Sequence, residues 1–405
     1  MKISNFLILT LASVSALVAC RTDAFVTYKE ADDPVAVSDR SKAAWVNIGK
    51  LEAVWASADS LYSRSEVPVV ERVEVNHLSG WKGERISAQL LLYTGNGADG
   101  VRCEVKDFRS SSSSSVMSAD IAQARFVRYT IADRGGMDCR CNRGPEMETI
   151  LVPDMTDSLK VFNMDPRTVR PVWVTVNVPH DAEPGVYKSE IVVKSKGTSR
   201  ISLPFELEVV DQVLPDYREW NFHLDLWQHP SAIARALNLE LWSDEHFEAI
   251  KQHMRPLAEA GQKVITTTLN RDPWGYQCYD DYEHMIIWTL KKDGSWSYDY
   301  TVFDRYVETM MELGVKKQIN CYSMLPWNNT LSWYVEDGNA FINRSCPASS
   351  DRFEQVWGPF LTDFVKHLRE KGWLEITNIA ADERSPEEMD AVLKIMQKYA
   401  PELGF

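Results

Sequence analysis

Two adjacent carboxylates, Asp382 and Glu383, come directly after an apolar run near the carboxyl end of the sequence. Residues 374–382 have the length and composition of a buried strand, so this strand stops on the two acids. Parallel α/β barrels carry their chemistry where strands meet the loops that follow them. Other acidic pairs, such as Asp244-Glu245, lack this placement and are predicted to be solvated or to begin helices. Position therefore marks Asp382 and Glu383 as candidate catalytic acids.

Two neighbouring carboxylates suit one form of glycoside cleavage better than another. The reaction needs a proton donor at the leaving oxygen and a group that stabilises positive charge at the anomeric carbon. Side chains next to each other on one strand cannot easily flank the scissile bond from opposite faces. They suit a route in which the 2-acetamido oxygen of the substrate attacks and one carboxylate orients the amide. Glu383 would then be the general acid/base and Asp382 the amide-positioning group, whose negative charge favours a protonated Glu383.

The elements that position this pair are strand and helix units in series. The predicted strands are residues 222–227, 263–269, 318–324 and 374–382, and the predicted helices are residues 244–259, 303–313, 352–371 and 386–399. Ser243 can cap the first of these helices. Such a series implies a parallel sheet with right-handed crossovers. Residues 214–405 are therefore predicted to form the first half of a (β/α)8 TIM-type barrel, an incomplete catalytic domain, and the missing units predict a truncated gene product.

Polar and aromatic residues recur at the ends of these strands, as a glycan pocket requires. Alternation in the first strand puts Phe222, Leu224 and Leu226 under the helices and the intervening side chains in the barrel mouth. The predicted substrate-binding residues are His223, Asp225, Trp227, Asn270, Trp274, Tyr322, Trp327 and Arg384. A hydrogen-bonded His223–Asp225 pair that supports the barrel is an equal alternative, and each loop residue could instead serve packing.

Residues 25–213 carry a different pattern. Short apolar runs with period-two alternation are separated by turn residues such as Pro184-Gly185, which is typical of an all-β sandwich. The predicted fold class is thus multidomain β plus α/β, with an N-terminal β-sandwich before the half barrel. Residues 95–100 match G-x-G-x-x-G, but a strand rather than a helix follows, so these glycines predict a turn and not a dinucleotide site.

Residues 1–20 predict export. Lys2 precedes an apolar stretch over residues 6–18 that is too short to span a bilayer as a mature helix. The stretch ends in Leu17-Val18-Ala19-Cys20, which resembles a bacterial lipobox, so Cys20 is the predicted lipidation site. The alternative is an ordinary signal peptide with an incidental cysteine. The predicted location is the bacterial cell envelope, lipid-anchored in the periplasm or at the outer-membrane surface, with membrane contact only through the anchor.

The composition of the chain limits the classes of partner that it is predicted to bind. The chain has 44 basic and 58 acidic residues, a net charge of −14, which disfavours a phosphate backbone and predicts no nucleic-acid partner. Cys139 and Cys141 lack further ligands at metal-site spacing, so neither a metal nor a cofactor is predicted. Ten of the fourteen Trp fall between Trp220 and Trp373, which suits either core packing or stacking on sugar faces.

Several stretches together resemble glycoside hydrolase family 123. They are residues 77–84, 222–230, 261–266, 299–304 and 381–384. The resemblance covers nearly all of the mature chain, and it rests on the order and spacing of the stretches. It implies an exo-acting β-N-acetylgalactosaminidase with an amino-terminal β-sandwich, a glycan substrate with a terminal N-acetylhexosamine, and an adjacent Asp-Glu pair on Asp382 and Glu383.

Two other functions compete with a glycosidase. A non-catalytic surface glycan-binding lipoprotein is favoured by the lipobox, the tryptophans and the incomplete barrel, and it would bind glycan without forming product. A non-functional remnant is the third possibility, and limited proteolysis would then leave only the sandwich.

Overall fold

The computed structural model describes residues 29–134, 148–275 and 277–405. The chain divides into two compact units after Leu214, one residue beyond the boundary predicted from sequence. The predicted signal peptide with its predicted lipidation site Cys20, and also Cys139 and Cys141, lie outside the described residues. The described cysteines, which are Cys103, Cys278, Cys321 and Cys346, are free thiols. Within the described ranges no helix is long and apolar enough to cross a bilayer.

The first unit is built from strands. A short helix, α1 (Asp39–Trp45), precedes most of them. The strands are β1 (Glu52–Ala56), β2 (Asn76–Lys82), β3 (Arg85–Thr94), β4 (Ala98–Val105), β5 (Phe108–Ser110), β6 (Val116–Met117), β7 (Ala122–Arg134), β8 (Glu148–Thr156), β9 (Phe162–Met164), β10 (Thr168–Asn177), β11 (Gly185–Ser195) and β12 (Thr198–Val213). A 3-10 turn, Ala119–Ile121, leads into β7.

These strands form two sheets that pack face to face. One sheet has the order β1-β3-β10-β7-β8, and the other has the order β2-β12-β11-β4-β9, with β5 paired to β11 and β6 paired to β5. Their shared core includes Leu90 and Leu92 from the first sheet and Ile191 and Phe205 from the second. The first unit is therefore a β-sandwich.

The apolar run in β3 is buried on both of its faces. Leu90 and Leu92 face the core between the sheets, whereas Leu91 and Tyr93 pack with Trp45 of α1 on the other side. A strand that alternates between two covered faces needs no polar face, which explains why this run does not alternate.

The glycine-rich stretch forms a turn at residues 95–97 and continues into β4 at residues 98–100, so the turn that its sequence context predicts is confirmed for its first half. It connects β3 to β4, so a strand rather than a helix follows it. Gly97 adopts a positive φ of 84°, and a Cβ on Gly95 would lie 1.7 Å from the Ile48 carbonyl oxygen. Local backbone geometry accounts for these glycines.

The second unit mixes helices and strands. Its elements are α2 (Pro230–Leu237), α3 (Asp244–Glu259), β13 (Val264–Thr268), β14 (Ile287–Leu290), β15 (Trp296–Asp299), α4 (Thr301–Glu312), β16 (Gln318–Tyr322), β17 (Thr330–Val335), β18 (Ala340–Ser345), α5 (Asp351–Lys371), β19 (Thr377–Ala380) and α6 (Pro386–Tyr399). The 3-10 turns Tyr217–Glu219 and Leu374–Ile376 precede α2 and β19.

A parallel sheet lies at the centre of this unit. Its order is β13-β16-β19, and single parallel bridges add Leu224 next to Gln262 and Gly404 next to Asn378. Neighbours in the sheet are thus consecutive along the chain, as strand–helix units in series require. Closure into a TIM-type barrel stays a prediction.

The helices follow the predicted caps and periodicity. The Ser243 side chain accepts a hydrogen bond from the His246 backbone N–H at the start of α3, and Ser385 and Glu388 form a capping box at the start of α6. Their apolar faces share one core with the sheet, in which the Trp288 ring stacks on Phe360 at 4.3 Å.

The first predicted strand, residues 222–227, is wrong as a strand. Only Leu224 forms a bridge, and Phe222 is 71% exposed rather than packed under helices. Side-chain amides replace the backbone ladder here: Gln262 Oε1 accepts from the Leu226 N–H, and Gln228 Oε1 accepts from the Thr266 N–H. Backbone groups satisfied by side chains have no need of a regular strand.

Two other predictions need correction. The fourth strand begins at Thr377, because residues 374–376 form a 3-10 turn. Between the second predicted strand and the helix predicted at residues 303–313, where no element was predicted, the chain forms the hairpin β14–β15, and a second hairpin, β17–β18, follows β16. Together they form a separate four-stranded sheet in the order β15-β14-β17-β18. Each hairpin is short and is stabilised by pairing between β14 and β17, which are distant in sequence. Local sequence patterns do not reveal such pairing.

Candidate active site

Asp382 is held in place by two hydrogen bonds just beyond the end of β19. Its Oδ2 accepts from the Trp327 indole Nε1–H at 2.9 Å, and its Oδ1 accepts from the Glu383 backbone N–H at 2.9 Å. Trp327 belongs to the loop after β16, so two adjacent strands of the parallel sheet meet at this carboxylate. Each oxygen keeps a further lone pair that can accept from a ligand.

Glu383 is exposed beside it. Among the described residues, none forms a hydrogen bond with the Glu383 carboxyl group. The acid pair, Asp382 and Glu383, therefore combines one oriented carboxylate with one carboxyl group that is open to a ligand. The roles that the sequence predicts for the two residues stay predictions.

Aromatic rings form a wall at the same edge of the sheet. The aromatic wall consists of Trp227, Trp274, Tyr282 and Tyr322. The Trp227 ring lies 5.4 Å from Trp274 and 5.1 Å from Tyr322 between centroids. Trp227 is 50% exposed, whereas the other three rings are buried. The wall thus offers one ring face to solvent on a rigid backing, an arrangement that suits the C–H face of a sugar.

Asp225 brings a second carboxylate toward the wall. Its Oδ2 accepts from Asn320 Nδ2 at 3.2 Å, while its Oδ1 is buried with no hydrogen-bond partner in the described part of the chain. Burial raises the pKa of Asp225, and the Asn320 hydrogen bond and nearby His223 partly offset this effect. An unsatisfied buried oxygen is a ready acceptor for a sugar hydroxyl.

Tyr322 is the last residue of β16, close enough to Asp225 and Asp382 for both charges to act on it. Burial, together with the smaller effects of the Asp225 and Asp382 charges, raises the pKa of Tyr322 to about 12. A hydrogen bond from the Trp227 side chain acts in the opposite direction. Tyr322 therefore stays a neutral phenol, and it connects the aromatic wall to both carboxylates.

Arg384 is nearly buried beneath Trp327. Its side chain is 6% exposed and forms a 3.0 Å ion pair with Glu388. The guanidinium carbon lies 4.9 Å from the centre of the Trp327 ring. The structure therefore brings Asp225, Trp227, Trp274, Tyr322, Trp327 and Arg384 to the acid pair or to the wall next to it.

Two predicted residues are placed differently. Asn270 is buried, and its amide bonds the Ser332 backbone in both directions, at 2.9 Å and 2.8 Å. It thereby fastens β17 to the end of β13. His223 is exposed and reaches the site only through its charge effect on Asp225.

Sequence reasoning missed two site residues, Tyr282 and Asn320. Asn320 had a usable signal, because period-two alternation in β16 places it on the same face as Tyr322, while Ile319 and Cys321 face the core. Tyr282 had none. It lies in a loop, where its ring contacts Trp274 directly, with centroids 4.5 Å apart, and stacks on His229 at 3.6 Å.

The part of the chain that the structure describes contains no set of metal ligands. No cluster of three or more His, Cys, Asp or Glu side chains there could hold a metal ion. The groups on hand are carboxylates, a phenol and aromatic rings, which can perform acid–base chemistry on a sugar.

Comparison with known proteins identifies the family of both units. A model of the glycoside hydrolase 123 catalytic domain matches residues 227–405, and a model of the glycoside hydrolase 123 N-terminal domain matches residues 55–195. The chain belongs to glycoside hydrolase family 123.

A solved structure supports the assignment. It is a family 123 glycoside hydrolase from Clostridium perfringens, described in terms of glycolipid glycan hydrolysis, with a TM-score of 0.78 and 25% sequence identity. The match covers 85% of this chain and 60% of the Clostridium chain, so this chain spans less than two thirds of that protein's length.

Other comparisons add little. A family 5 xyloglucanase from Bacteroides ovatus aligns at 11% identity over 82% of this chain and 62% of its own, with a TM-score of only 0.20, so it carries no argument. A comparison with curated protein sequences found no match.

Proposed function

We propose that this chain removes terminal β-linked N-acetylgalactosamine from glycans by substrate-assisted, retaining hydrolysis. The observation that carries the proposal is the acid pair itself. Asp382 is oriented by Trp327 and by the Glu383 backbone, while the Glu383 carboxyl group is exposed next to it. Family membership supports a glycosidase, and the resemblance noted from the sequence supports this substrate.

The first step forms a ring within the substrate. The 2-acetamido oxygen attacks the anomeric carbon, the glycosidic C–O bond breaks, and Glu383 gives its proton to the leaving oxygen. Asp382 accepts the amide N–H hydrogen bond, which holds the acetamido group in line and stabilises the positive charge that develops on it.

The second step returns the enzyme to its starting state. Glu383 removes a proton from water, and the water oxygen attacks the anomeric carbon. The bond between the anomeric carbon and the acetamido oxygen breaks, which restores the acetamido group. Two inversions at one carbon give net retention. Meanwhile Trp227 stacks on the sugar, and the free Asp225 Oδ1 accepts a hydrogen bond from a hydroxyl.

The wider setting is also proposed. The second unit is the first half of a TIM-type barrel, and the chain is exported and lipid-anchored through Cys20. Incorporation of labelled palmitate into the wild-type chain but not into Cys20→Ala tests the anchor. The Clostridium protein is described as acting on glycolipid glycans, so a glycolipid head group is the first natural substrate to try.

Turnover of a chromogenic β-N-acetylgalactosaminide tests the activity. We expect Glu383→Gln and Asp382→Asn each to lower kcat by about 10² or more, since each removes a positioned catalytic group. Glu375→Gln is the matched control, because this exposed acid precedes the same strand at its other end. Proton NMR of the first product should show the β-anomer. Wild-type turnover by Glu383→Gln would refute the role of Glu383.

A surface glycan-binding lipoprotein is the second candidate function. The half-exposed Trp227 ring favours it, because a stacking platform binds sugar with or without hydrolysis. Titration calorimetry with N-acetylgalactosamine decides between the two when no product forms. Heat of binding that is lost in Trp227→Ala supports the binding protein, and no heat from any amino sugar excludes it.

A further inference from the structure

One nitrogen of the Arg384 guanidinium group, Nη2, donates to three acceptors of the protein itself, while the buried Nε has no hydrogen-bond partner among the described residues. The acceptors are Glu388 Oε1 at 3.0 Å, Asn329 Oδ1 at 3.2 Å and the Pro326 carbonyl oxygen at 3.4 Å. With its side chain 6% exposed, Arg384 presents little surface to a sugar. These contacts join the segment after β19 to α6 and to the loop after β16.

Trp327 lies between Arg384 and the acid pair. The Arg384 guanidinium carbon is 4.9 Å from the ring centre, a cation–π contact that favours one plane of the ring. The Trp327 backbone N–H also donates to the Pro273 carbonyl oxygen at 2.9 Å. The ring so held then donates its Nε1–H to Asp382 Oδ2 at 2.9 Å.

We propose that Arg384 is a positioning residue, which acts through Trp327 to orient the carboxylate of Asp382. Glu388 anchors it: Oε1 of Glu388 binds Arg384, and Oε2 accepts from the Ser385 N–H in the capping box of α6. The start of α6 thus fixes the direction in which Asp382 offers its remaining lone pairs. The kinetic consequence rests on the proposed function, whereas the geometric consequence does not.

Steady-state kinetics of the full chain test the kinetic consequence. We expect Arg384→Met to lower kcat about tenfold and to change KM by less than about twofold, because a loosened Asp382 misaligns the attack but removes no contact with the sugar. Trp327→Phe should act in the same way. The double variant should be no slower than the slower single variant, since both changes break one chain of contacts.

Arg305→Met is the matched control. Arg305 lies over an aromatic ring at 4.0 Å, that of Phe247, and it pairs with Asp244 at 2.7 Å. It thus repeats the contacts of Arg384 away from the acid pair, and its loss should leave kcat unchanged.

A resonance of the indole N–H tests the geometry without any turnover. In a ¹H–¹⁵N spectrum, Trp327→Phe identifies the Trp327 Nε1–H signal by its disappearance. We expect Arg384→Met and Asp382→Asn to shift this signal upfield and Arg305→Met to leave it in place, because a hydrogen bond to a carboxylate moves the proton downfield. If the wild-type chain is inactive, the proposed function fails while this measurement still decides the role of Arg384.

Two results would overturn the inference. A rise in KM of tenfold or more at unchanged kcat in Arg384→Met would mean that Arg384 binds the sugar directly. A Trp327 indole signal that keeps its position in Arg384→Met would mean that Arg384 supports the fold without setting the ring.

Discussion

The side chain of Gln262 holds the segment around Leu226 to the parallel sheet. It is 3% exposed; its Oε1 accepts from the Leu226 N–H at 2.9 Å, and its Nε2 donates to the carbonyl oxygens of Leu226 and Val264 at 3.1 Å and 2.6 Å. Asp225 and Trp227 flank Leu226, so these bonds also locate two candidate sugar-binding groups.

Gln262→Leu tests this arrangement. The change removes three hydrogen bonds at about 1 kcal/mol each, so we expect the free energy of unfolding to fall by about 3 kcal/mol. Urea unfolding followed by tryptophan fluorescence reports mainly on this unit, because ten of the fourteen Trp lie between Trp220 and Trp373.

Gln252→Leu is the control, because Gln252 is an exposed residue of α3. We expect it to change the free energy of unfolding by less than about 0.5 kcal/mol. A loss below about 1 kcal/mol in Gln262→Leu would refute the claim that side-chain amides replace a backbone ladder in this segment.

Two further predictions concern buried charges. Burial lowers the pKa of His284 from 6.5 to about 4. Between these two values the unfolded chain binds a proton at His284 and the folded chain does not. The free energy of unfolding therefore falls by about 3 kcal/mol as the pH is lowered from 6.5 to 4. Chemical unfolding across this range should show a flatter pH dependence in His284→Leu, and equal slopes would contradict the assignment. In the first unit, Glu30 bonds Arg170 at 2.6 Å and 2.7 Å with both side chains buried, so Glu30→Gln should lower the free energy of unfolding by about 3 kcal/mol. The exposed Glu52–Arg72 pair supplies the control, Glu52→Gln, for which we expect less than about 1 kcal/mol; similar losses in both variants would argue against the buried pair.

Local patterns predicted the regular elements well where one face is buried. The bounds of α3 and α6 agree with the prediction, because caps such as Ser243 and Ser385 lie next to the helices that they begin. The acid pair was also visible, since an apolar run that ends on carboxylates is a local feature. The strand prediction for the segment around Leu224 failed because the side chains of Gln262 and Gln228, rather than a backbone ladder, bond this segment to β13 and the residues before it.

By itself, the sequence determined the serial order of the parallel strands β13, β16 and β19 and of the helices α3 to α6, the carboxyl-terminal position of Asp382 and Glu383, and a family resemblance that the comparisons confirm. Periodicity and capping depend on neighbours within a few residues, and the sequence shows these neighbours directly. Only the tertiary structure decided what surrounds the acids. Trp327 reaches Asp382 across 55 residues of chain, and Asn320 reaches Asp225 across 95. Such pairs form because strands distant in sequence end at one edge of a sheet, and no local pattern encodes that edge.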